Sequence, residues 1–587
     1  MRKAQEVIKV SKAEVVSLLN EIGILLELIG ENPFKVRAYA NGARVLEGQS
    51  EEIEELVRSG KLGELPGFGP ALTEKVTTLV TTGRLPYYED LKKKVPAGLL
   101  EMIRIPGLGP KKAKALFDHL KIDSIEKLEK ACRKHEVSTL EGFGEKSEQK
   151  ILEGIQHHQK YAERHLYPEA LAAAQLLRRK IKMRPEVIDC EIAGSLRRHR
   201  ETIGDVDLLA SSKKPQSVME FFTTLPEVAT IIGHGETKSS ITLKESGIQV
   251  DLRVVSEEEF PNALHHFTGS AEHNIQMRHR AQTMGMKLNE YGLFKTKGKK
   301  EVGVPCRTEE EIFKALKLSF IPPEMREGSG EIAAAEKNKI PKLVEEKDIR
   351  GIFHVHSTWS DGTAPLEAMI AEAERLGLEY VGISDHSQSA YYAKGLKPDR
   401  LKQQEKEIEG LRKKFKIRIF WGIESDILPD GSLDYPAPIL ERFDFVIGSV
   451  HSSFTMPEKE MTARVAKAVK NKYFTILGHS TGRLLLGREP FAIDMKKIID
   501  VAGDEGKWIE LNAHPSRCDL DWRLLSYAKE KGVKIPIDPD AHSIEDVANY
   551  QYGVGLARKG WLAKDDVITT LPAVKMEKLL TRTKPGS

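Results

Sequence analysis

The chain is poor in several features that would assign it quickly. It has 4 cysteines in 587 residues, Cys132, Cys190, Cys306 and Cys518, and none forms a C-x-x-C pair. That excludes a disulfide framework and a thiolate zinc site, and fits a reducing compartment. A surplus of one charge is equally missing. The 90 Lys+Arg and 87 Asp+Glu leave only +3, so the overall charge does not announce nucleic acid and any basic footprint has to be local. Long apolar runs are missing too: IGILLELIG near the start is short and carries Glu27, which reads as an amphipathic helix and not as a signal peptide or membrane span. What remains is a soluble, cytoplasmic chain with no membrane partner, long enough for about three or four domains.

The first 160 or so residues have helical period and repeat a phrase: LPGFGPALTEKV at 65–76, IPGLGPKKAKAL at 105–116 and LEGFGEKSEQKI at 140–151. Each is an apolar residue, Gly-x-Gly, then a helix start with lysine close by. The paired glycines (Gly67 and Gly69, Gly107 and Gly109) permit positive φ and bring backbone N–H groups to the surface, where a helix N-terminus completes an anion cradle. One such turn could be a plain helical corner. Three copies beside Lys75, Lys111, Lys112, Lys114 and Lys146 suit DNA phosphate, and they resemble helix-hairpin-helix motifs, which hold DNA backbone without reading sequence.

From Val187 the period changes to strands, in an α+β pattern. GSLRRHRETIGDVDLL, 194–209, places Asp205 and Asp207 two apart, hence on one strand face at like-charge cost. QVDLRVV adds Asp251 in the same apolar setting. Three carboxylates on neighbouring strands form an oxygen-rich site for two Mg²⁺ ions roughly 4 Å apart, the arrangement that clamps both oxygens of a phosphoryl transfer. The plain alternative is that Arg197, Arg198 or Arg253 pair with these acids merely to hold the sheet.

This segment resembles the nucleotidyltransferase signature of family X DNA polymerases, the group containing polymerase beta. The resemblance implies metal binding by Asp205, Asp207 and Asp251, and a nucleotide triphosphate held by Ser195 and Arg198. HHFTGSAEHNIQMRHRA matches the family segment beside the nucleotide sugar and base, on Phe267, Gly269, Ser270, Asn274 and Arg278, the last expected on DNA. The family ordinarily has Tyr before the Phe, and here the residue is His266, which puts sugar discrimination in question. FKVRAYANGARVLE and LPGFGPALTEKV resemble the small lyase domain, placing Lys75 on the Schiff-base lysine and Lys35 on a phosphate contact.

After Pro323 the polar stretch EMREGSGEIAAAEKNKIPKLVEEKDIRG reads as a linker. Beyond it, apolar strands alternate with helices in βα order, and a metal-capable residue repeatedly closes the strand, where barrel enzymes place their chemistry. These residues are His354, His356, Asp361, His386, Glu424, His451, His479, Asp540 and His542. A single histidine would be core packing, but this recurrence points to several metal ions. HVHSTWSDG, SDH, GSVHS, GHS and DPDAHS resemble a PHP (polymerase and histidinol phosphatase) domain, a distorted barrel whose trinuclear cluster hydrolyses phosphoesters. Nitrogen and oxygen ligands without sulfur favour Mn²⁺ or Zn²⁺, up to three ions. Asn512 and Arg517 lie past another strand end, placed either for a substrate phosphate or for a loop role.

The expected organisation is a lyase-like helical domain (1–85), a helix-hairpin-helix fingers-type domain (86–160), an α+β nucleotidyltransferase palm (161–262), a thumb-type nucleotide-selection domain (263–323), a linker (324–346) and an α/β distorted-barrel PHP domain (347–587). The expected activity is gap filling in DNA repair by a monomer acting on gapped or primer-template DNA and dNTPs, with the PHP site trimming 3′ ends. Two alternatives stay open: a PHP site acting on another phosphoester such as pyrophosphate, and a non-enzymatic gap-binding scaffold with structural metals.

Overall fold

The computed structural model describes residues 10–582 apart from 11, 48–52, 104, 106, 162–163 and 298–299. It divides into two compact units, Met1–Ala162 and Glu163–Ser587. The first unit is helical. In helix Lys12–Leu28, Val15, Val16, Leu19, Ile22, Leu25 and Leu26 are buried at three- and four-residue spacing, and this stripe packs against Pro33–Glu47. The phrase glycines do what their positions require: Gly67, Gly107 and Gly142 take φ of 85°, 83° and 82°, and Gly69 and Gly109 cap helices Pro70–Thr82 and Pro110–Leu120.

The second unit opens on a five-stranded sheet. Asp205–Ser212 lies between the antiparallel Val187–Ile192 and the parallel Gln249–Val255, with Lys238–Leu243 and Val228–His234 beyond. Helices Tyr167–Lys182 and Pro215–Thr223 pack on the sheet, and Leu177, Ile181, Val218 and Phe222 close the core with Val206, Leu208, Val250 and Leu252. Helices Phe260–Thr268, Ala271–Thr283 and Glu309–Ala315 follow, with a three-stranded antiparallel sheet between the last two.

The expected linker is a correction. Met325, Ala335 and Leu343 share the buried core of Met277, Leu293, Ile312 and Phe313. Its charges are taken up internally: the fully buried Arg326 pairs with Glu309 at 2.6 Å, and Glu331 pairs with His273 at 2.8 Å. A polar composition looked like solvent exposure because the sequence does not display the partners.

In the carboxy-terminal part, strands Gly351–Val355, Tyr380–Ile383, Arg418–Asp426, Phe445–Ser449, Ile476–Leu477 and Trp508–Ile509 form one parallel sheet in sequence order. The sheet curls: Leu511–Asn512 pairs in parallel with Ile537–Asp538, and a bridge from Ala541 to Val355 returns to the first strand. The result is a curled α/β barrel of the kind the PHP resemblance implies, with its strand ends converging on one mouth.

Candidate active sites

Register builds the palm site. Asp207 is the direct partner of Asp251, and Asp205 lies two residues before it on the same strand. Helical turn Gly194–Arg197 closes over them. Gly194 has φ of 62°, and a Cβ there would lie 2.0 Å from Asp207 Oδ2, so glycine is required on both counts. Burial, and then the charges of Asp205 and Asp251, push the Asp207 carboxyl up to about 7. Burial would also raise Asp251, but hydrogen bonds led by Lys238 hold it below the usual carboxylate range. Lys238 Nζ lies 2.8 Å from Asp251. The cation nearest the acids is therefore neither arginine of the signature.

Those arginines face the thumb-type helices. Arg197 donates to Thr268 Oγ1 at 2.6 Å and pairs with Glu309 at 2.6 Å. Arg198 donates to the Thr268 carbonyl at 2.8 Å and to Glu327 at 3.0 Å, and Ser195 is partly exposed in the same turn. Phe267 lies under the Arg253 guanidinium at 4.5 Å, and the His266 ring meets Phe267 edge-on at 5.0 Å. Burial lowers the His266 pKa below its ordinary value. Asn274 donates to the His266 carbonyl at 2.7 Å, while its Oδ1 is buried without a partner. A Cβ on Gly269 would collide with that oxygen at 2.6 Å. Ser270 caps Ala271–Thr283, and Arg278 is exposed on that helix.

The turn is also gripped from the barrel side. Lys559, at the end of helix Tyr550–Lys559, is fully buried, donates to the Arg198 carbonyl at 3.0 Å and pairs with Glu327, the carboxylate that holds Arg198. Gly555 on the same helix leaves room for His199, whose Nδ1 a Cβ would meet at 1.9 Å. The sequence reading missed Lys559, Glu327 and Lys238; nothing in their local patterns marks them.

At the barrel mouth, all nine residues singled out from the sequence converge into overlapping groups: His356, Asp361, His386 and His542; His354, His479 and Asp540; His354, His356 and Glu424; His386, Glu424 and His451. Glu424 is central, 2.8 Å from His479 Nε2, 2.9 Å from His386 Nδ1, and 3.3 Å from both His354 and His451 Nε2. Both ring nitrogens of His356, His354 Nε2 and His479 Nδ1 are buried without hydrogen-bond partners. Unpartnered lone pairs facing buried carboxylates are the donor set a cation fits. Burial disfavours charge on every ring here; Glu424 and Asp361 nevertheless hold His386 at about 10, while His356 and His479 fall to about 3. The acids thus draw positive charge into the pocket. The backbone bends to present the ligands: His354, His479 and Asp540 have φ of 56°, 22° and 50°, sparsely populated for side-chain-bearing residues.

Supporting carboxylates went unrecognised in the sequence. Glu510 accepts from His354 Nδ1 at 2.5 Å and from the His479 amide at 2.7 Å, and Asp426 accepts from His451 Nδ1 at 2.6 Å. Asp426 had a readable signal, since it lies two residues beyond Glu424 on one strand. Asn512 is consumed inside the site, donating to Glu510 and Asp540 at 3.0 Å each. Arg517 pairs with Asp540 at 2.9 Å and keeps Nη1 buried and unpartnered.

In the first unit, Lys75 Nζ lies 4.8 Å over the Tyr87 ring and Lys35 Nζ 5.9 Å from it, Lys35 also pairing with Glu31 at 2.7 Å. Lys112 donates to the Gly107 carbonyl at 3.3 Å, and Lys111 is exposed beside it. Lys114 is occupied by Asp118 at 2.6 Å. Gly69 and Gly109 have φ of −78° and −74°, and a Cβ on either would meet nothing within 4 Å. The protein itself leaves room for a side chain at both positions.

The fold thus joins helical DNA-binding units and a polymerase-beta-type nucleotidyltransferase to a metal-dependent phosphoesterase barrel. Family models match in the same order: a helix-hairpin-helix domain at 11–85, a SAM-like helix-hairpin-helix tandem at 99–157, the DNA polymerase beta thumb at 263–327 and the PHP domain at 353–514. The chain is 39% identical over 573 residues to the Bacillus subtilis "DNA polymerase/3′-5′ exonuclease PolX", covering 97% of this chain and 99% of that one. It is 28% identical over 290 residues to Rattus norvegicus "DNA polymerase lambda", covering 45% and 48%. Its barrel region is 29% identical over 214 residues to a "Probable phosphatase" of Acetivibrio thermocellus, covering 34% of this chain and 81% of that one. The chain belongs to the family X DNA polymerases that carry a carboxy-terminal PHP domain. No helix among the described residues is long and apolar enough to cross a membrane.

Proposed function

We infer that this chain is a DNA-templated DNA polymerase that fills short gaps in repair, and that its barrel is a metal-dependent 3′-5′ exonuclease. The observation that carries the reading is the coexistence in one unit of a three-carboxylate palm site and a nine-ligand barrel site. Likeness along nearly the whole chain to a protein named for both activities favours DNA over pyrophosphate as the barrel substrate, and an enzyme over a scaffold.

In the palm, Asp205, Asp207 and Asp251 would hold two Mg²⁺ ions, which when bound screen the triphosphate and stabilise the attacking and leaving oxygens. The residues do the rest. Asp251 has to release Lys238 before its carboxylate can turn to a metal. Ser195 and Arg198 offer a hydroxyl and a guanidinium to the triphosphate; Arg198 then exchanges Thr268 or Glu327 for phosphate oxygens. Phe267, Gly269 and the free Asn274 Oδ1 border the space for sugar and base, with His266 behind them. Arg278, Lys35, Lys111, Lys112 and the glycine turns at Gly67, Gly69, Gly107 and Gly109 take the DNA backbone. Lys75 is the candidate lyase nucleophile, and borohydride trapping on a 5′-deoxyribose phosphate, lost in Lys75→Ala, tests that role.

In the barrel, the nine residues would hold up to three Mn²⁺ or Zn²⁺ ions, which when bound lower the pKa of water and neutralise the phosphodiester. Glu510 and Asp426 fix which ring nitrogen of His354 and His451 points inward. The domain limits given by the sequence are retained, except that 324–343 packs with the thumb-type core while Val344 joins the barrel core. A reducing compartment such as the cytoplasm fits the four free cysteines; a monomer is the reading to be tested by sedimentation. Primer extension on a gapped duplex with Mg²⁺ and dNTPs, beside 3′ shortening in Mn²⁺ without dNTPs, tests the whole reading: absence of extension by wild type removes the polymerase, and absence of shortening removes the nuclease.

A further inference from the structure

Beside the barrel mouth stand two adjacent tyrosines whose rings no packing requirement explains. Tyr391 is 82% and Tyr392 69% exposed, in a loop whose apolar neighbours Ala390, Ala393 and Leu396 are buried. The loop is held firmly. The Ser389 amide donates to Asp434 at 2.7 Å and its hydroxyl to Asp426 at 2.7 Å, the same Asp426 that orients His451. The Gln388 side chain donates to the Asp434 carbonyl at 2.8 Å, and the Leu396 amide to the His386 carbonyl at 2.9 Å. A Cβ on Gly395 would lie 1.9 Å from the Ser387 carbonyl, so the return of the loop admits only glycine. Exposed aromatic rings on a backbone this constrained are placed in advance, which lowers the ordering cost of binding.

Their position is specific. The Tyr392 ring centroid lies 6.1 Å from that of His386 and 6.3 Å from that of His451, both edge-on. Cationic groups complete the rim: Arg517 with its unpartnered Nη1, and Arg488, stacked on Phe454 at 4.4 Å. A guanidinium for phosphate and exposed aromatic faces next to a hydrolytic cluster match the parts of one unpaired nucleotide. Stacking accepts any base, as a nuclease that trims without regard to sequence requires.

We propose that Tyr391 and Tyr392 form a stacking platform for the base of the unpaired 3′-terminal nucleotide, holding its phosphodiester over the barrel cluster. The platform rests on the exonuclease reading. It makes the nuclease depend on the presence of a base, without reading which base it is.

The test uses the full-length protein in Mn²⁺ without dNTPs and a single-stranded oligonucleotide ending in either an ordinary nucleotide or a tetrahydrofuran abasic residue. Wild type should remove the base-bearing end with kcat/KM about tenfold or more above the abasic end, mostly through KM. The double variant Tyr391→Ala, Tyr392→Ala should lose that preference while matching wild type on the abasic end within about twofold, and the double Phe variant should restore it. Retained preference in the double Ala variant overturns the proposal, and so does an equal loss on both ends, which would mean that the rings only shape the cluster. If wild type shortens neither end, the exonuclease reading fails and the platform fails with it, a result distinguishable because it appears before any substitution is made.

Discussion

Under the proposed function the palm and the barrel solve one problem, bringing cations to a phosphodiester, in opposite ways. The palm uses three carboxylates, two of them direct strand partners, and leaves Asp205 exposed. Under that function its donor atoms are all hard oxygens, suited to Mg²⁺. The barrel mixes six imidazoles with three carboxylates. Glu424, His354 and His356 are fully buried, and second carboxylates lock the rings, which suits ions that remain bound. Under the proposed function the palm site would be completed by its substrate, whereas the nine metal-capable residues of the barrel are already gathered by the fold.

The largest effects should separate the two. Asp207→Asn removes an anionic ligand and should lower nucleotide addition by about 10³-fold or more, with 3′ shortening unchanged within about twofold; single-turnover extension and degradation on one duplex measure both. His356→Ala should do the converse at a similar magnitude, and its metal content by mass spectrometry should fall. Glu510→Gln keeps the volume but weakens the hold on His354, and should lower exonuclease rate or Mn²⁺ affinity by about 10–100-fold while leaving extension intact.

Two smaller effects probe the seam between the regions. Lys559→Met removes the ammonium that shares Glu327 with Arg198, leaving Glu327 to hold that arginine more tightly. The dNTP KM should rise about tenfold with exonuclease unaffected. His199, burial lowering its pKa from 6.5 to about 4, is neutral when folded and takes a proton when unfolded. Its contribution is therefore present above pH 6.5 and lost as pH falls toward 4. Compared with His199→Asn, wild type should lose about 2–3 kcal/mol of stability between pH 7 and 4.5, read as a narrowing difference in thermal midpoint.

The legibility of these regions in sequence follows the same division. Most of the metal-capable barrel residues lie at or just past the end of a strand in a βα repeat, so the strand pattern, with the PHP resemblance, pointed to one mouth for them, although Asp361 stands in a turn after its strand and Glu424 lies inside one. The palm acids were legible because residues two apart share a strand face. What stayed hidden acts across long separations: Glu510 on His354, Lys559 on the Arg198 turn, Lys238 on Asp251. The 324–346 segment misled for the same reason. Arg326 and Glu331 look like solvent-facing charges until Glu309 and His273 are folded against them.

The most direct test of two independent sites on one chain is a 5′-labelled primer on a gapped duplex, incubated with dNTPs, Mg²⁺ and Mn²⁺ and resolved by product length. Asp205→Ala should yield only shortened primer and His356→Ala only extended primer, while an equimolar mixture of the two should yield both. If either variant loses both product classes in a folded, nuclease-free preparation, the separation of palm and barrel is contradicted.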